Sequence, residues 1–228
     1  MRNEGKDNKD ILKKQSTHQY DHEHIDKFYY CPICMQYQYP KGAQMRDQYR
    51  ILIPSEWEAL KDSIEKSRLR IVVEGLLFTG MRYSEYERFS NHLEWFDVKN
   101  RAISLPAKAS KTGRDRTIHL TPQFTKDMSL YLREHKKLEV PSIQAMNMNL
   151  RRWHSSCALA VDDQHPNPKT FRKTWESWLL ASYPDRSMAI ALSQGHSELI
   201  SYGHYMNLDP RLKSEMDRVR ELTKGWGI

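Results

Sequence analysis

Trp95-Phe96-Asp97-Val98, then Lys99-Asn100-Arg101, then Ala102-Ile103-Ser104-Leu105 is the stretch whose period decides the fold. Two short runs rich in β-branched and aromatic residues flank a polar turn, which is the pattern of a hairpin and not of a helix. Thr117-Ile118-His119-Leu120 reads as a third strand, joined through Ser110-Lys111-Thr112-Gly113-Arg114. On either side the spacing becomes helical. Pro54-Ser55-Glu56-Trp57-Glu58 reads as a helix start, with Ser55 as the cap and Glu58 completing a capping box. Trp57, Leu60 and Ile64 then share one face. A second helix is predicted from Leu69 to Thr79, ended by Gly80, and a third, capped by Ser84 with Glu87, through His92. More helices are predicted over 122–137, 143–160, 170–182, 185–194 and 210–224. The expected class is α+β, mainly α-helical with a small three-stranded antiparallel sheet, spanning residues 51–228.

Composition narrows the function. Apolar residues make up 39% of the 228, enough for a packed core, and the net charge of +7 favours nucleic acid without requiring it. Three cysteines make no disulfide framework, which points to a reducing compartment. The most apolar run, Ile71 to Phe78, is short and interrupted by Glu74, so no membrane span is expected. Polar residues follow Met1 with no apolar stretch, so neither is a secretory signal.

The residues able to carry chemistry lie far apart. They are Arg82 in Thr79-Gly80-Met81-Arg82, Lys111 in Ser110-Lys111-Thr112-Gly113, Arg172 in Lys169-Thr170-Phe171-Arg172, and Gly195-His196 with Tyr205 nine residues after the histidine. Two guanidinium forks can grip the oxygens of one phosphate, and cations can donate protons to it. A phenol can attack it if neighbouring charges lower its pKa. Singly, each is ordinary: a helix arginine, a hairpin lysine, a capping histidine, one of twelve tyrosines.

Taken in order, the four motifs resemble those of the tyrosine recombinases of the phage and archaeal viral integrase type, over residues 51–228. The resemblance implies the catalytic fold of that family and a site-specific DNA recombinase that cleaves and rejoins strands through a 3′-phosphotyrosine link. Tyr205 is then the nucleophile, Arg82 and Arg172 the phosphate clamp, and Glu85 a supporting brace beside Arg82. Lys111 is the acid for the departing 5′-oxygen, with Lys108 as the alternative; Arg114 and Arg116 after it fit the family pattern. His196 assists proton movement, with His204 as a weaker alternative. Lys169 stands where the family usually has histidine, which keeps a phosphate contact but loses a group that titrates near neutrality; some archaeal viral integrases carry the same replacement.

The resemblance also implies double-stranded DNA at specific attachment sites as partner, a homotetramer on that DNA, and a metal- and ATP-independent reaction. The expected place is the host cytoplasm, associated with DNA and no membrane, in the integration of a viral or other mobile element. Three rival readings remain at this point: a DNA-binding protein of this fold without strand transfer, a type IB topoisomerase-like nicking-closing enzyme, and a zinc-stabilised interaction module whose motifs are coincidental. The family's longer N-terminal clamp domain has no room in residues 1–50, which implies either a substitute module or a fragment of a longer integrase.

Residues 1–50 read as a polar tail followed by a Cys/His-containing appendage. Cys31-Pro32-Ile33-Cys34 resembles one zinc knuckle, and His22 and His24 are candidates to complete a structural Cys₂His₂ set. Two free thiols beside surface histidines fit the same residues. Leu212, Met216, Val219 and Leu222 form a stripe that reads as core, with docking onto a neighbouring subunit as the second reading.

Overall fold

The computed structural model describes residues 51–157, 165–196, 212 and 214–227, together with the backbone of two short strands near the N-terminus. The chain divides into two units, Met1–Gln48 and Tyr49–Ile228. In the first, β1 (Tyr29–Cys31) pairs antiparallel with β2 (Gln36–Gln38), Cys31 opposite Gln36. The other members of the candidate zinc set, His22, His24 and Cys34, lie outside the described residues.

The second unit opens with α1 (Pro54–Asp62), α2 (Ser67–Thr79) and α3 (Tyr83–Ser90). Both capping assignments from sequence are corrected. Pro54 occupies the first turn, where its missing N–H is harmless and its fixed φ suits a helix, so the cap moves back to Ile53. Glu56, not Glu58, then accepts from the Ile53 N–H at 3.1 Å, and Ser55 turns instead to Glu215. In the same way α3 is capped at Arg82, with Glu85 returning to the Arg82 N–H at 3.0 Å, in place of Ser84 and Glu87. The end of α2 is as the sequence predicts: Gly80 sits in the left-handed region at φ 59°, where a side chain is strained.

The hairpin stretch folds as a three-stranded antiparallel sheet, β3 (Phe96–Asp97), β4 (Ala102–Leu105) and β5 (Arg116–His119), in that order. Ile103 faces Ile118 across the central pair, and both are buried. Then follow α4 (Pro122–His135), α5 (Ile143–Ser156), α6 (Pro168–Ser182), α7 (Ser187–Gln194) and α8 (Met216–Thr223). Helix α5 ends short of the expected 160, and α6 starts earlier because Asn167 caps it, accepting from the Lys169 and Thr170 N–H groups ahead of Pro168 at the first position.

Helix α6 is the hub. It packs on α2, on α7 and on α8. Phe78 of α2 stands edge-on to Trp175 at 5.3 Å and to Trp57 at 6.0 Å, and tilts onto Phe124 at 5.5 Å, so one aromatic cluster joins α1, α2, α4 and α6. Trp178 donates to the Leu52 carbonyl, and the Leu52 N–H donates to Thr174, which pins the start of this unit to the same helix. The C-terminal stripe follows the core reading: Leu212 and Val219 are buried, with Met216 and Leu222 packed against them.

Helices α2 and α3 approach closely because position 75 lacks a side chain. A Cβ there would stand 1.8 Å from the Tyr86 hydroxyl oxygen, inside any contact distance. That hydroxyl is buried and has no hydrogen-bond partner among the described residues. Gly75→Ala is expected to destabilise by about 3 kcal/mol through overpacking. Tyr86→Phe, which removes only the unsatisfied hydroxyl, is expected to stay within about 1 kcal/mol of the parent or above it. Urea unfolding of the two variants checks both values.

Candidate active site

Two helices end in left-handed glycines, and both endings face the same side chain. Gly80 closes α2 and Gly195 closes α7, at φ 59° and 74°. Arg172 donates Nη1 to the Gly80 carbonyl at 2.7 Å and Nη2 to the Gln194 carbonyl. These terminal carbonyls carry the negative ends of their helix dipoles, so a guanidinium is the fitting partner. Arg82 follows Gly80 by two residues and His196 follows Gly195 by one. The contact that seats Arg172 therefore brings both neighbours towards it. Burial, and then the nearby Arg82 charge, lower the Arg172 pKa to about 10, which still leaves it protonated at neutral pH.

Glu85 builds the other side. Its side chain is 0% exposed, and its two oxygens take five N–H groups. Arg82 contributes its backbone N–H and Nη1, each at 3.0 Å, and the Lys111 backbone N–H reaches Oε1 at 3.2 Å. Arg116 spans both oxygens, Nη1 to Oε1 at 3.1 Å and Nη2 to Oε2 at 2.8 Å. Burial alone would raise this carboxyl, but the Arg116 fork and the Arg82 contacts outweigh it and hold it at about 2. Glu85 and Arg82 are therefore no surface pair. The sheet is docked on α3 by these bonds and by Arg88, which donates to the Ala109 carbonyl at 2.8 Å.

His196 is only 13% exposed, and its Nε2 donates to the buried Glu176 carboxylate at 2.9–3.0 Å. Tyr83 donates its hydroxyl to the Pro141 carbonyl, fixing the approach to α5. Burial pushes that phenol up, so it stays a neutral donor.

These elements enclose a groove of about 960 Å³. Arg82, Lys111, Lys169, Arg172 and His196 all line it, so five side chains from four separated motifs meet at one place. Lys108, the alternative to Lys111, does not line it. Arg151 and Lys173 add charge, giving among the described residues six lysine and arginine cations against one lining carboxylate, Glu176. Such a wall favours an anionic ligand with several oxygens. Tyr205 and His204 lie outside the described residues.

Sequence reasoning missed Glu176 as the partner of His196 and did not single out Arg116 as a brace. Glu176 stands four residues after Arg172, hence on the same helical face, which was the one available signal.

The phage integrase family model matches residues 50–211. The chain belongs to the phage integrase family. Among solved structures it is similar to XerA recombinase, at 18% identity and a TM-score of 0.58 over 75% of this chain and 65% of that one. It is similar to XerH recombinase bound to its difH substrate, at 16% and 0.55 over 81% and 58%. It also resembles the Tn1549 transposon integrase in complex with transposon right-end DNA, at 15% and 0.56 over 93% and 78%. These likenesses establish the tyrosine recombinase catalytic fold for this family member. The chain spans less than two thirds of the length of XerA and XerH. Among curated protein sequences none matches significantly.

The depressed Glu85 carboxyl sets an acid limit on stability. Its folded pKa lies below the unfolded value, so its contribution is present above the unfolded pKa and is lost as pH falls from about 4.5 through about 2. The depression corresponds to roughly 3 kcal/mol at neutral pH. Glu85→Gln is expected to lose most of that at pH 7 and to show a flatter acid limb between about pH 5 and 2. Thermal unfolding across that window measures the difference.

Proposed function

We propose that this chain is a site-specific DNA recombinase, cleaving and rejoining strands through Tyr205 by way of a 3′-phosphotyrosyl link. The observation that carries the reading is the meeting of Arg82, Lys111, Lys169, Arg172 and His196 in one cation-walled groove, within a family whose model matches most of the chain. In this reading Arg82 and Arg172 grip the two non-bridging oxygens of the scissile phosphate. Their donors are fixed before reaction, so they stabilise the charge that builds at phosphorus as the tyrosine oxygen adds. The bond to the 5′-oxygen breaks, and Lys111 supplies its proton. His196, oriented by Glu176, takes part in proton movement at the tyrosine, and Lys169 holds a phosphate oxygen. The bond energy stays in the phosphotyrosine, so attack by a second 5′-hydroxyl reseals the strand without ATP.

The substrate in this reading is double-stranded DNA at specific attachment sites, engaged by a homotetramer. XerH and the Tn1549 integrase are each captured on their DNA, which supports DNA as the partner here. Among the described residues no helix is long and apolar enough to cross a membrane; the host cytoplasm, in association with DNA, is the proposed location.

The test is a library of nicked duplexes with randomised sequence, from which protein-linked DNA is recovered after denaturation and sequenced. A covalent adduct at a defined sequence, absent with Tyr205→Phe, is the expected result. Arg82→Lys and Arg172→Lys should lower adduct formation by about 10²-fold or more while leaving duplex binding within a few fold. No adduct from the parent protein overturns the reading, and relaxation of supercoils without joined products turns it towards a nicking-closing enzyme. For the first unit we keep a structural zinc on Cys31, Cys34 and His22 or His24 as a proposal, with no part in cleavage. Elemental analysis of purified protein should return about one zinc per chain, and none overturns it.

A further inference from the structure

Arg116 touches three parts of the site. Its side chain is 6% exposed, yet its Nε–H is buried with no hydrogen-bond partner among the described residues. A buried unsatisfied donor weakens a fold, so the Nε end of this arginine adds nothing to stability. What it does satisfy is Glu85, both of whose oxygens it spans. Its Nη1 also lies against the backbone of Gly195, where a Cβ would come within 2.7 Å, and 3.5 Å from the Ser110 hydroxyl. One guanidinium thus abuts the helix start that carries Arg82, the turn that carries Lys111, and the helix end that carries His196.

Charge accounting explains the arrangement. Glu85 is fully enclosed and needs one positive charge beside it. Arg116 and Arg82 both reach it, but unequally. Arg116 commits its whole fork, whereas Arg82, 27% exposed, gives a single guanidinium N–H and leaves Nε and Nη2 unclaimed by described residues. We propose that Arg116 is a positioning residue of this site: by pairing with the buried Glu85 carboxylate it releases Arg82 to bind a phosphate and keeps the Lys111 turn in its seat. Remove Arg116, and Arg82 becomes the sole counter-charge to Glu85 and is drawn away from the groove. Because Oε1 accepts from both Arg116 and the Lys111 N–H, the turn shifts with the carboxylate. Lysine cannot replace Arg116 fully, since a single ammonium does not bridge two oxygens in the same plane.

This inference rests on the reading that the groove takes a DNA phosphate, and two readouts separate the two claims. The first is the single-turnover rate of covalent adduct formation on the duplex recovered above. Arg116→Met is expected to lower it about 10²-fold. Glu85→Gln/Arg116→Met, which removes both charges together, is expected to recover at least about tenfold over Arg116→Met alone, because nothing then competes for Arg82. A residue needed only for packing gives a double variant no better than the single. Arg116→Lys, which keeps the charge if Arg116→Met does not fold, should lose about tenfold with binding retained.

The second readout needs no catalysis: titration with inorganic phosphate, followed by the Arg82 Nε–H resonance. Affinity should fall in Arg116→Met and return in the double variant. A double variant no better than Arg116→Met in both readouts, or wild-type behaviour in Arg116→Met and Arg116→Lys, overturns the proposal. If the parent protein forms no adduct while phosphate affinity follows the expected order, the recombinase reading falls and the positioning role stands.

Discussion

The contact on which the site depends is the Arg172 guanidinium lying across two helix ends. Carbonyls at the ends of α2 and α7 have no further N–H to accept from, and a rigid two-pronged cation satisfies one from each. Each helix is stopped by a glycine that only a left-handed turn explains. Those turns send the chain directly into Arg82 and His196. Without the arginine, two negative helix ends would face one another. With it, their opposition becomes the reason that residues 80, 172 and 194 meet.

Glu85 makes the opposite kind of centre, a buried anion collecting donors. Enclosing a carboxylate is unfavourable unless its hydrogen bonds are replaced, and here two arginines and two backbone N–H groups replace them. Taken as stability, such a cluster gains little over an apolar core. Its value is geometric: the sheet, the start of α3 and the turn at Lys111 are all referred to one pair of oxygens. The two centres divide the task, with Arg172 aligning helix ends and Glu85 aligning the sheet with helix α3.

The legible part of the fold was the part written in local spacing. The hairpin showed in the alternation around Asn100, and Gly80 marked the end of α2 because its φ admits few other residues. The caps at Ser55 and Ser84 were misplaced by two residues, since each helix has a competing acidic residue, Glu56 or Glu85, that reaches the cap N–H first. Motif order singled out Arg82, Lys111, Lys169, Arg172 and His196, and these five line one groove. It gave no sight of Glu176, because a charged residue within a helical stretch carries no mark of burial, whereas Trp175, Glu176, Ser177 and Trp178 are all buried. Pairings such as Glu85 with Arg116, or Glu176 with His196, join distant elements and leave no periodic trace.

Val219 and Trp226 are buried against the rest of this unit, and the Tyr183 hydroxyl and Ser182 hydroxyl both bond Thr223. During translation the chain emerges from its N-terminal side. A nascent polypeptide exposed only as far as His196 already displays the six groove cations, yet the apolar cover for α6 is still inside the ribosome. The helix that carries Lys169, Arg172 and Lys173 thus rests on a partner synthesised after all six of those cations.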